Sequence, residues 1–191
     1  MISGSKSLKL VPIVAVVIGL FVATFGNAVA THLYSGYKFY TNNPKYCVNS
    51  SFGSSLTTAI TTAANDMNAL PSSFTLSQIP YDSNCYNHIY QSSFSPNYIA
   101  MSAIYTIGSP PHINHVDTAV NTYYSWTGSL TTCTNSEPLN LRYTMHHEFG
   151  HWIQMVHPTS IEDTVMNFNF NCAYWNAYKS HDISTIGTVW P

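Results

Sequence analysis

Charge is what this sequence has least of. Asp, Glu, Lys and Arg together make up 7 % of its 191 residues, against about 25 % in an ordinary globular protein. It holds no Lys/Arg run and no basic patch, which excludes the electrostatic footprint that a nucleic-acid partner needs. Solubility therefore rests on Ser, Thr, Asn and Tyr, and should depend little on pH, which suits a setting outside the cell. There is no Cys-x-x-Cys pair, so the usual cysteine knuckle for zinc is missing. Neither an internal repeat nor a charged linker divides residues 31–191. What is plentiful is apolar: 45 % of the residues, too many for a disordered chain. The length suits one domain with a real core.

The first thirty residues stand apart. Lys6 and Lys9 precede an apolar run from Leu10 to Phe25, and Asn27-Ala28-Val29-Ala30 follows. A positive start, an apolar middle and small residues at the cleavage positions make a secretory signal, with cleavage expected after Ala30. The alternative is an uncleaved anchor. The run is shorter than the roughly 20 residues a spanning helix prefers, and Pro12 interrupts it. The expected organisation is thus a signal over 1–30 and one exported domain over 31–191. That domain is either secreted or held at the outer face of a membrane, and it touches a membrane only if the signal stays. Cys47, Cys85, Cys133 and Cys172 all lie in the exported part. Four cysteines there read as two disulfides, with three possible connectivities.

Along 31–191, Tyr37 to Thr41 reads as a first strand, stopped by Asn42-Asn43-Pro44. Leu56, Ala59, Ile60, Ala63, Met67 and Leu70 fall at helical spacing and end before Pro71. Strands are expected at Phe74 to Ile79, Asn87 to Ser92, Tyr98 to Ile107 and His115 to Thr122. A polar loop follows from Thr127 to Pro138, then a long helix from about Leu139. A short helix near Asp182 to Val189 closes the chain. This order predicts an α+β domain with one sheet.

The segment that carries chemistry is His147-Glu148-Phe149-Gly150-His151. Histidines at i and i+4 lie one above the other on a helix, so both can reach one ion. Glu148, rotated by about 100°, falls beside the ion's open position and can take a proton from an attacking water. Leu141, Met145, Phe149, Trp152, Ile153 and Val156 form an apolar stripe about 120° wide. His147 and His151 point away from that stripe, toward a cleft or solvent. His146 sits at its edge and is read as structural. A third ligand is His157, which a continuous helix would turn away from His151. Pro158 pushes His157 toward an extended conformation, so the helix must end between the two.

His147-Glu148-x-x-His151-x-x-Gln154-x-x-His157, followed by Met166, resembles the metzincin zinc-peptidase signature, and within that clan the matrixin catalytic domain. Thr164-Val165-Met166-Asn167-Phe168 resembles the Met-turn. Tyr98 to Ile107 and His115 to Thr122, with Trp126 beyond, resemble the matrixin edge strand and the strand behind it. The end of the chain, from Asp182 to Trp190, resembles the matrixin closing helix. The resemblance implies a twisted, mostly parallel sheet with an antiparallel edge strand, packed on an active-site helix and a second long helix. It also implies one catalytic zinc.

Three departures stand out. Gln154 replaces the glycine at which the helix turns away, and a left-handed Gln154 would carry strain of about 1–2 kcal/mol. No tyrosine stands two residues after Met166, which favours the matrixin branch. No cysteine-switch segment fits between Ala30 and Tyr37, so thiol latency is not expected. A structural zinc on His88, His112, His115 and Asp117 has only its ligand types in favour, and calcium has few carboxylates to use.

The expected function is that of a secreted, monomeric zinc endopeptidase acting on a protein or peptide. Its ligands would be His147, His151 and His157, its general base Glu148, and its Met-turn residue Met166. An extended substrate would pair with the strand at Ala100, Ile104 and Tyr105. Phe168, Phe170 and Tyr174 would contribute an apolar pocket wall. Two alternatives differ in class or branch: a non-catalytic exported binding protein that keeps the fold, and a zincin whose third ligand is Glu162.

Overall fold

The computed structural model describes residues 36–82, 84–109, 111–159 and 163–191. The expected signal and Glu162 lie outside these residues. The elements in chain order are β1 (Lys45–Val48), α1 (Ser54–Asn68), β2 (Ser77–Gln78), β3 (Asn87–Ser92), β4 (Ala100–Ile107), β5 (His112–Asn121), β6 (Trp126–Thr127), β7 (Leu139–Asn140), α2 (Leu141–Trp152), α3 (Cys172–Trp175) and α4 (Ser180–Val189).

The fold is α+β, and its main sheet has the order β2-β1-β3-β5-β4. β1 runs parallel to β2 and β3, and β3 parallel to β5. β4 closes one edge antiparallel to β5. A sheet of this kind needs cover on its apolar face. The helices supply it: Ala59, Ile60, Ala63 and Met67 of α1 and Met145, Phe149 and Trp152 of α2 are buried in one cluster with Tyr46, Ile89, Val116 and Val120 of the strands. Asn68 ends α1 by behaving like a neighbouring strand, since its side chain donates to Leu76 O (2.9 Å) and accepts from Leu76 N–H (2.7 Å).

The strand expected at Tyr37 to Thr41 is not one. Phe39 makes a single bridge to Ile113, with its ring in the core, and the first true strand begins just after Pro44. Phe39 and Tyr37 are held by packing, while Tyr40 is exposed and the Asn42-Asn43-Pro44 turn prevents a ladder from extending. β2 is shorter than the expected Phe74 to Ile79, because Phe74 and Leu76 are committed to the core and Pro80 ends the run. β5 starts three residues earlier than expected. A bulge between Tyr105 and Thr106 lets the β4–β5 hairpin continue to Ile107 and His112 before Gly108 turns with positive φ.

The disulfides join Cys47 to Cys85 and Cys133 to Cys172. They suit an oxidising, extracellular setting. No helix among the described residues is long and apolar enough to cross a membrane.

Candidate metal centre

α2 begins where β7 ends. Asn140 caps it, accepting the Tyr143 N–H (3.2 Å) while its amide holds Ser129 O (2.9 Å) and Thr132 O (2.7 Å) of the preceding loop. The helix ends after Trp152 in a Schellman turn. Met155 N–H donates to Gly150 O (3.0 Å) and Gln154 N–H to His151 O (2.9 Å), with Gln154 left-handed at φ 68°. This is the geometry that glycine normally supplies, built here on glutamine. The turn frees the chain so that His157 comes back toward the helix.

The three histidine rings meet at their Nε2 atoms. The separations are 3.2 Å for His147–His151, 3.2 Å for His151–His157 and 3.0 Å for His157–His147. Two of the rings are fixed from behind: His147 Nδ1 donates to Val165 O (2.6 Å) and His151 Nδ1 to Met155 O (3.0 Å). Their protons are therefore on Nδ1, and their Nε2 lone pairs face each other across the gap. Burial, and then the other rings, hold His147 far below the usual histidine range and His151 at about 3; burial holds His157 at about 4. All three are neutral ligands near pH 7, and together they could hold a metal ion.

Sequence reasoning expects His147 and His151 to face a cleft or solvent. The apolar stripe is indeed in the core, but His147 is only 2 % exposed. Its cover comes from outside the helix: the Trp175 ring stacks on it at 4.1 Å and the Val165 carbonyl lies behind it. α2 is in fact buried nearly all round.

Met166 sits in a tight turn in which Asn167 N–H donates to Thr164 O (3.2 Å) and Met166 N–H to Thr164 Oγ1 (2.9 Å). The buried Asp182 at the start of α4 holds this turn through Thr164 Oγ1 (2.6 Å) and Val165 N–H (3.2 Å). A side chain at Gly150 would strike Met166 Sδ, so the bare helix backbone is what admits the turn.

Glu148 is 3 % exposed, and burial raises its carboxyl to about 7 against the lowering effect of a bond from Ser102. Ser102 Oγ donates to Glu148 Oε2 at 2.7 Å. Sequence reasoning missed Ser102, although its parity with Ala100 and Ile104 on β4 puts it on the same face of the sheet. Ala100 is buried and Ile104 packs against the core. Tyr105 alternates to the opposite face, where it stacks on His115 at 4.2 Å, so its ring does not line the helix side of the strand. Phe168 and Tyr174 are half-buried, while Phe170 packs edge-on against Trp175 (5.1 Å).

His146 stays out of the triad, as its helical position predicts. Its Nδ1 faces Trp175 O (2.9 Å) and its Nε2 faces Asp66 Oδ2 (2.7 Å), so both ring nitrogens are engaged away from the triad. Arg142 grips the same carboxylate through Nε (2.8 Å) and Nη2 (3.0 Å). Burial alone would raise Asp66, but the bonds and charges of His146 and Arg142 hold it below the usual carboxylate range.

The four residues considered for a structural zinc do not converge. His88 pairs with Asp117 (3.0 Å), His112 stacks on Tyr40 (4.1 Å) and His115 on Tyr105. His88 and His115 meet cross-strand neighbours, whereas His112 Nδ1 is buried without a hydrogen-bond partner among the described residues. Among the described residues the other ligand-like group is Cys47, Cys85 and His88, whose sulfurs are already bonded to each other. No carboxylate belongs to either of these groups. Comparison of the chain with family models and with curated proteins finds no match to either.

Proposed function

We propose that the protein is a secreted zinc endopeptidase of matrixin type. The observation that carries this reading is the convergence of three neutral histidine nitrogens on one point with a buried carboxylate on the next residue of the same helix.

Zinc fits the donor set. Lone pairs held 3.0–3.2 Å apart repel unless they share a cation. A tetrahedral ion with Zn–N of about 2.0–2.1 Å would separate its ligands by about 3.3 Å, close to what the rings already adopt. All-imidazole ligation suits zinc better than magnesium or calcium, which take oxygen. Carbonyls behind His147 and His151 give the support that metal-bound histidines need. Three protein ligands leave a fourth position for chemistry, whereas a purely structural site closes it.

When bound, zinc supplies a Lewis acid that polarises the scissile carbonyl and lowers a water's pKa from about 15.7 toward about 7. Glu148 accepts the water's proton during attack and delivers it to the leaving amine. Burial raises the affinity of its carboxyl for that proton. The edge strand β4 offers backbone groups to which an extended peptide can add as a further strand. The mostly parallel sheet with its antiparallel edge, the left-handed residue 154 and the turn at Met166 agree with what the resemblance to matrixins implies.

The test is direct. The purified protein should bind about one zinc per chain and cleave unfolded casein, and a chelator should stop cleavage. Glu148→Gln should abolish turnover while retaining zinc. Zinc retention without cleavage in the native protein would instead favour an exported binding protein. Undiminished zinc in His157→Ala would move the third ligand elsewhere, with Glu162 the first residue to examine.

A further inference from the structure

A file of three donors runs from the back of the core to the carboxylate of Glu148. Trp152 Nε1 donates to Thr118 Oγ1 (2.9 Å), Thr118 and Ser102 share a hydrogen bond (2.8 Å), and Ser102 donates to Glu148 Oε2 (2.7 Å). The proton order follows from the end groups. An indole N–H can only donate, and an ionised carboxylate can only accept. Ser102 has one proton, and Glu148 takes it. The bond between the hydroxyls must then be donated by Thr118. All three donors point toward Glu148, from two strands and from the carboxylate's own helix.

We propose that Ser102 is a positioning residue that engages Oε2 of Glu148 and so holds the carboxylate in one plane relative to the three histidines, leaving Oε1 for the reaction. The inference rests on the reading of Glu148 as general base. Were Ser102 to turn toward Thr118 instead, Thr118 would accept from both Ser102 and Trp152, leaving its own proton with no acceptor among the bonds it makes. Thr118 is fully buried, so such a proton is costly. Because Trp152 cannot reverse, Ser102 stays turned toward Glu148. β4 therefore contributes a side chain to the reaction as well as an edge to the substrate.

The experiment compares Ser102→Ala, Ser102→Thr and Thr118→Val as whole exported chains. Ser102→Ala should lower kcat by about 10- to 100-fold, the scale on which a reacting group loses its fixed geometry, with KM and zinc content within about two-fold of the parent. Ser102→Thr, which restores the hydroxyl, should recover most of kcat. Thr118→Val should fall between them. In a crystal of metal-free Ser102→Ala, the Glu148 carboxyl should rotate away from its present plane. Unchanged kcat with an unmoved carboxyl would overturn the proposal. So would a parallel loss of kcat, zinc and melting temperature that threonine fails to rescue. If the parent protein binds zinc but cleaves nothing, the peptidase reading fails, and the orientation of the carboxyl decides the role of Ser102 by itself.

Discussion

Met166 Sδ fills the space that a side chain on Gly150 would need. α2 and the turn at 164–167 are therefore in contact through a missing Cβ, one residue before the candidate ligand His151. Gly150→Ala should destabilise the protein by about 1–3 kcal/mol, the usual range for overpacking. Much of that cost should vanish in a Met166→Ala background, and a double-mutant cycle followed by denaturant unfolding measures the coupling. Additive losses would mean that the clash is relieved elsewhere.

Gln154 holds a left-handed backbone. Comparing Gln154→Gly with Gln154→Ala isolates the backbone term, because both variants lose the same side chain. The glycine variant should be more stable by about 1 kcal/mol. Equal melting curves would show that the turn relaxes without strain.

Asp66 is held by both Arg142 and His146. Asp66→Asn should cost about 2–3 kcal/mol, less than a wholly buried pair because the carboxylate is 29 % exposed. Since His146 also holds the carbonyl of Trp175, whose ring stacks on His147, zinc affinity should fall as well. A chelator competition at fixed temperature reads that effect, and unchanged affinity would confine Asp66 to a structural role.

The metal-free protein should lose stability as pH falls. The folded values of about 3 for His151 and about 4 for His157 lie below the ordinary value near 6.5, so the unfolded chain takes up those protons first. Stability contributed by the neutral rings is complete above about 6.5 and is lost on descending toward about 4. Glu148 opposes this. Its raised carboxyl binds a proton in the folded state that the unfolded chain releases, so its contribution falls as pH rises from about 4.5 to about 7. Thermal midpoints of chelated protein should therefore drop with acid, and drop more steeply in Glu148→Gln. A midpoint that rises on acidification across this window would refute the assignment.

Periodicity and local chain chemistry reveal much of this arrangement in advance. The spacing of Ala59, Ile60, Ala63 and Met67 gives α1, Pro158 announces that the helix must end before His157, and the absent glycine at 154 marks the strained residue. What stays hidden is set by partners distant in the chain. Asp66 meets His146 across 80 residues and Ser102 meets Glu148 across 46, and no local pattern encodes either. The short β1 lacks any alternation to read, whereas the aromatic run at Tyr37 to Thr41 imitates a strand while serving the core. The burial of His147 depends on Trp175, in a short helix whose four residues carry no periodic signal.

The bond between Cys133 and Cys172 spans a separation of 39 residues, and every candidate ligand, Glu148 and Met166 lie between its ends. By loop entropy such a ring contributes about 4 kcal/mol against unfolding. It also keeps the whole metal-binding stretch covalently continuous. A single backbone cut within the ring would open the chain yet release no fragment. The centre is thus protected against a single cut as well as against melting, and separating its candidate ligands takes reduction after that cut, or a second cut.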